Sequence, residues 1–133
     1  MLHPSVVVEI LDAEIAVSRE RLGDRVGSIR RNCAVVLVDF GENTVARLDG
    51  TRYDAEPYSV SFQDAVGQPL AGHEWPAGIN AGPHPIFNRP FICIRGTAEY
   101  HTHPSHLRDR WDFYRGRIAL ADLLDHICNR LGR

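Results

Sequence analysis

The sequence has no long apolar run, few cysteines and no excess of basic charge, and each shortage excludes a class of protein. No apolar stretch approaches the roughly 20 residues that cross a bilayer, so no membrane association is expected. The three cysteines, Cys33, Cys93 and Cys128, are too few and too scattered for a disulfide framework, and a reducing, cytoplasmic setting is expected. The formal net charge of −2 offers no basic stripe for nucleic acid or an anionic membrane surface. The N-terminal segment is apolar early but has no basic region before it, and Glu9 interrupts it, so a signal peptide is not expected.

What is present fits one α+β domain over residues 1–133, with a hydrophobic fraction of 44% that is ample for a core. Residues 5–22 are predicted to form a helix, with Ser5 as N-cap after Pro4 and Val8, Leu11, Ile15 and Leu22 at helical spacing. Asn32–Phe40 is predicted as one apolar strand, followed by a turn, a strand near 44–48 and an alternating strand over 57–62. Residues 67–90 carry many Gly and Pro and are predicted as ordered loop. Phe91–Ile94 and Thr97–His103 are predicted as the arms of a tight hairpin turning at Gly96. Residues 118–131 form the clearest helix pattern, with Leu120, Leu124, Ile127, Cys128 and Leu131 on one face. The expected fold is therefore an N-terminal helix, a small antiparallel sheet and a C-terminal helix.

Three of the seven histidines, His101, His103 and His106, fall within six residues. If 99–103 is extended, Glu99, His101 and His103 project to one side, because strand side chains alternate. A turn at Gly96 would fold Cys93 toward them, and Pro104 would end the strand and let His106 approach. Thiolate and imidazole are ligands that zinc prefers, so Cys93, Glu99, His101, His103 and His106 form a candidate metal site with zinc as the expected ion. Glu99 would then be a ligand, orient a histidine, or act as a base. Iron or nickel would accept the same donors. Cys33 and Cys128 lie in apolar patterns and are expected in the core. His126 is expected at the surface, and Trp75, Trp111 and Tyr114 as packing anchors. His73 and His84 flank the loop where they could line the site.

The stretch from His84 to Gly116 resembles the bacterial Cys-Glu-His-His (CEHH) predicted metal-binding domain of ubiquitin-like gene neighbourhoods. That resemblance implies Cys93 and Glu99, with two of His101, His103 and His106, as the signature residues. Arg95-Gly96, Tyr100, Pro104, Trp111 and Arg115 flank them. It implies a zinc-binding accessory protein of a ubiquitin-like conjugation pathway, with a ubiquitin-like protein or its activating or conjugating enzymes as partners.

The chain is also similar to ubiquitin-conjugating (UBC-fold) enzymes in the order Trp75-Pro76, His84-Pro85, Cys93, Trp111 and closing helix. That similarity implies Cys93 as the nucleophile that accepts a modifier C-terminus as a thioester. Ile86 stands where that family has an asparagine after His-Pro, which removes a candidate oxyanion donor. Finally, His101-Thr102-His103-Pro104 resembles the metal-binding core of JAB/JAMM zinc isopeptidases, although Ser105 comes too early for the rest of that motif.

Overall fold

Proline at the first helical position costs no hydrogen bond, because that N–H has no partner inside a helix. The computed structural model, which describes residues 1–133, accordingly begins its first helix at Pro4 and runs it to Leu22 (α1). His3, not Ser5, is the cap: its Nδ1 accepts the Ser5 backbone N–H at 3.2 Å. Val7, Leu11, Ile15, Ser18 and Leu22 form the buried stripe.

The apolar run predicted as one strand is broken. Ile29–Asn32 (β1) turns at Cys33, whose φ is +51°, into Val35–Asp39 (β2). The turn leaves Cys33 exposed rather than in the core. Val45–Asp49 (β3) and Ser59–Gln63 (β4) complete an antiparallel meander in the order β1-β2-β3-β4. Two register rows show how alternation builds its buried face. Val36 pairs with Leu48, which pairs with Val60, and Val38 pairs with Ala46, which pairs with Phe62. All six are buried.

The closing helix, Leu120–Leu131, buries Leu120, Leu123, Leu124, Ile127 and Cys128 against α1 and the sheet core. Asp122 accepts the Ala119 N–H and so caps its start, while Gly132, at φ +75°, ends it in left-handed geometry. Glu14 of α1 ties three parts together by accepting from the Leu120 N–H at 2.8 Å and the Tyr58 hydroxyl at 3.1 Å. Its carboxyl is raised above the ordinary 4.5, chiefly by burial. The observed architecture is one α+β domain of N-terminal helix, four-stranded antiparallel sheet and C-terminal helix. No helix is long and apolar enough to cross a membrane.

The segment between β4 and the closing helix departs most from expectation. Residues 64–97 form an ordered loop with one 3-10 turn at Gly72–Glu74, and Phe91–Ile94 is not a strand. The predicted hairpin is replaced by a single helical turn, Ala98–Thr102 (α2). Thr97 causes this. Its hydroxyl oxygen accepts the Tyr100 N–H at 3.2 Å, and its carbonyl accepts the His101 N–H, so the chain winds instead of extending. Gly96, at φ +98°, makes the reversal into that cap, and a Cβ there would lie 2.7 Å from an Ile118 methyl. The Ala98 N–H donates to the Tyr58 carbonyl, hanging α2 from the start of β4.

Candidate functional site

Winding residues 98–102 into a helix separates the side chains that an extended strand would have aligned. Glu99 turns inward and is fully buried. Its carboxylate accepts from the Val60 backbone N–H at 2.8 Å, from the Ser59 hydroxyl, and from Arg89 Nη2 at 2.8 Å. A carboxylate so enclosed is a structural anchor joining α2, β4 and the loop before Cys93. The other nitrogen of the Arg89 pair, Nη1, is buried without a partner.

His101 is also fully occupied. The Gly96 N–H donates to its Nε2 at 3.0 Å, so Nε2 carries no proton and Nδ1–H donates to the Asp109 carbonyl. Burial lowers its pKa, in keeping with a neutral ring. The same reasoning fixes His84, which is 1% exposed. Its Nδ1 accepts the N–H groups of Ile86 and Phe87, and its Nε2–H donates to the Glu99 carbonyl at 2.8 Å. His84 therefore supports the site from below, stacking edge-on against His103 at 5.6 Å. His73 lies exposed in the Gly72–Glu74 turn and takes no part.

The pair that the structure does bring together is Cys93 and His106. The half-buried Cys93 Sγ lies 3.7 Å from His106 Nε2, within reach of an S–H···N hydrogen bond. The His106 ring is held by stacking flat on Tyr100, with centroids 4.0 Å apart and planes 10° apart. Tyr100 is fixed in turn by donating its hydroxyl to Asp109 at 2.6 Å. Asp109 also accepts from the Tyr114 hydroxyl and from Arg95 Nε at 2.9 Å. The Arg95 guanidinium spans the Tyr114 and Tyr100 rings, at 5.2 and 5.9 Å. These donors, the tyrosine hydroxyls first and Arg95 after them, hold the Asp109 carboxyl down at about 2.

His103 completes the cluster. Its ring is 5.8 Å from that of His106 and 5.7 Å from Phe91, two residues before Cys93. Its Nδ1 accepts the Ser105 N–H at 3.1 Å and the Ser105 hydroxyl at 2.7 Å.

Of the five sequence-predicted ligands, Cys93, His106 and His103 share one locality. Glu99 and His101 have their polar atoms engaged elsewhere, and no three His, Cys, Asp or Glu groups stand as a ligand cluster. The donor chemistry of His103 also resists a metal as arranged. A histidine bound through Nε2 carries its proton on Nδ1 and donates it, whereas here Nδ1 receives a backbone N–H. A JAB/JAMM-like pairing of His101 with His103 meets a different obstacle at His101, whose Nε2 lone pair is already taken by the Gly96 N–H.

Nothing in the sequence marks Asp109 or Arg89, and Ser105 stands out there as a departure from the JAB/JAMM motif. Asp109 sits in an irregular segment with no periodicity, and only the three-dimensional fold brings it under Tyr100. Ser105 carries a second signal, since a serine two residues after His103 and behind Pro104 suits a turn in which the histidine caps.

Residues 83–131, which contain this whole cluster, match the family model described as Y4jH-like, Y4jH family. The chain is also similar to an uncharacterized protein y4jH of Sinorhizobium fredii (strain NBRC 101917 / NGR234). The two are 29% identical over 110 residues, covering 60% of this chain and 54% of that protein. The chain thus spans about half the length of the curated relative it matches, and the similarity to the Y4jH-like family falls on the segment that carries Cys93, His103 and His106.

Proposed function

We propose that this domain is an acyl carrier of the ubiquitin-conjugating kind, in which Cys93 takes a ubiquitin-like C-terminus as a thioester and His106 serves as its base. The observation that carries the reading is the 3.7 Å approach of Cys93 Sγ to His106 Nε2, with the imidazole clamped on Tyr100. A thiol beside an oriented imidazole is the arrangement that nucleophilic catalysis requires. In the proposed step the Cys93 proton passes to His106, and the sulfur attacks the carbonyl carbon of an incoming thioester. The new C–S bond forms as the old one breaks, and the departing thiolate takes the proton from His106.

Two further features support this reading. Helix, four-stranded meander, a loop bearing His84-Pro85, then the thiol and a closing helix is the order that the resemblance to UBC-fold enzymes implies. The sequence also holds no lysine, its 15 lysine-plus-arginine positions all being arginine. A thioester at Cys93 would meet no side-chain amine of its own chain that could capture the acyl group.

The test uses an aryl thioester of a peptide ending in Gly-Gly, with adducts read by intact mass and peptide mapping. A thiol-reversible adduct at Cys93, lost in Cys93→Ala and slowed in His106→Ala, is expected. Reaction at Cys93 no faster than at the exposed Cys33 refutes the proposal.

A second reading keeps zinc, because an adjacent thiol and imidazole are also the beginning of a donor set. Cys93 and His106 would then bind the ion, with His103 turned away from Ser105 to join them, in a non-catalytic accessory protein of a ubiquitin-like pathway. Stoichiometric zinc in purified protein, lost in Cys93→Ala, would favour this reading, since a thiolate held by zinc is not free to attack.

A further inference from the structure

We propose that His103 is the oxyanion donor of this site, taking the place left empty by Ile86. The proposal rests on the acyl-transfer reading of Cys93 and adds a residue that the reading does not need.

A backbone N–H can only donate, so the Ser105 N–H at 3.1 Å from His103 Nδ1 requires a lone pair there. The Ser105 hydroxyl, at 2.7 Å, donates to the same nitrogen. The neutral ring must then carry its proton on Nε2, and that N–H has no partner within the protein. His103 thus holds one free, directed donor whose tautomer is fixed by the turn Pro104–His106. The other two histidines in contact with the site differ in kind. His84 and His101 spend both nitrogens on backbone groups.

The ring is also fixed in place. It packs edge-to-face against His84 at 5.6 Å and stacks on Phe91 at 5.7 Å, with the His106 ring 5.8 Å away. His106 takes up the thiol proton, so a neighbouring neutral imidazole is left to meet the carbonyl oxygen. When Cys93 sulfur adds to the thioester carbonyl, the π electron pair moves onto oxygen, and His103 Nε2–H donates to it. Collapse returns the pair, expels the leaving thiolate, and leaves His103 with its original proton. A donor whose orientation is set before the reaction stabilises developing charge without reorganising.

Alkylation separates this role from a structural one. Iodoacetamide reacts with Cys93 at an sp3 carbon and forms no oxyanion, whereas the aryl peptide thioester does. His103→Ala is expected to slow acylation by the aryl thioester by roughly 100-fold or more, the usual cost of one lost oxyanion donor. Its alkylation by iodoacetamide is expected to stay within about twofold of wild type, because Cys93 and His106 both remain and Tyr100 still holds the His106 ring. His103→Gln, which keeps an N–H donor, should recover part of the acylation rate. Equal losses in both reactions would assign His103 a merely structural role and overturn the proposal, as would unchanged acylation. If wild-type protein alkylates in a His106-dependent way yet never acylates, acyl transfer itself fails and this proposal with it. If acylation is robust and indifferent to His103, only the present inference is lost.

Discussion

Replacing Glu99 separates an anchoring carboxylate from a catalytic or metal-binding one. In Glu99→Ala the fully buried Val60 N–H loses its acceptor, the Ser59 hydroxyl loses its own, and Arg89 loses its counter-charge. Removing one partner of a buried ion pair costs about 3–5 kcal/mol. The Arg89 side chain is 37% exposed and regains some hydration, which places the expected loss near the lower end, at about 3 kcal/mol. Glu99→Gln keeps the volume and an acceptor for Val60, but it sets an amide N–H against the guanidinium. A loss of about 2 kcal/mol is expected, within the range for one hydrogen bond to a charged group. Urea unfolding followed by circular dichroism measures both, and a domain of this size should lose roughly 10 °C in Tm for the alanine change. At temperatures where both variants remain folded, iodoacetamide should alkylate Cys93 at close to the wild-type rate. Stability within about 0.5 kcal/mol of wild type in both variants, coupled to loss of Cys93 chemistry or of bound metal, would refute the anchoring role.

Three other outcomes follow from the packing and the charges. Gly96→Ala puts a Cβ 2.7 Å from the Ile118 methyl at a positive φ, and should destabilise by roughly 2 kcal/mol in the same urea experiment. The Asp109 carboxyl titrates lower in the folded chain than its ordinary 3.8. Its contribution is therefore present above pH 3.8 and lost as pH falls toward about 2, and Asp109→Asn should lack that acid-sensitive segment of the stability curve. Glu14 runs the opposite way. Its folded carboxyl is raised above 4.5, so the folded chain binds more protons and the associated stability is lost as pH rises; Glu14→Gln should gain on wild type in stability from pH 4.5 upward.

The elements with strong periodicity were legible in the sequence. The stripe Leu11, Ile15 and Leu22 and the face Leu120, Leu124, Ile127 and Cys128 did become buried helix faces. The alternating strands near 44–48 and 57–62 also formed, each shifted by a residue or two. Cys33 escaped because an apolar composition gives no sign of a two-residue reversal, and the turn put the thiol in solvent. Of the five candidate residues, the folded chain brings Cys93, His103 and His106 together, while Glu99 and His101 engage backbone groups elsewhere. Extended and helical winding of residues 98–102 place Glu99 on different sides, and the Thr97 cap that decides between them is a single hydroxyl. Which histidines were free was beyond the sequence altogether. It depends on backbone N–H groups of Gly96, Ile86, Phe87 and Ser105 that reach the rings only in the folded chain.

Competition between two thiols within one molecule reveals whether Cys93 and His106 act as a nucleophile and its base. Exposed Cys33 and half-buried Cys93 can be acylated together by limiting aryl peptide thioester at pH 7, with site occupancy read by peptide mass spectrometry. Cys93 is expected to be labelled ahead of the more accessible Cys33, and His106→Ala to reverse the order through a loss of roughly 100-fold or more at Cys93 alone. Labelling that follows exposure, with Cys33 ahead in wild type and no response to His106→Ala, would contradict it.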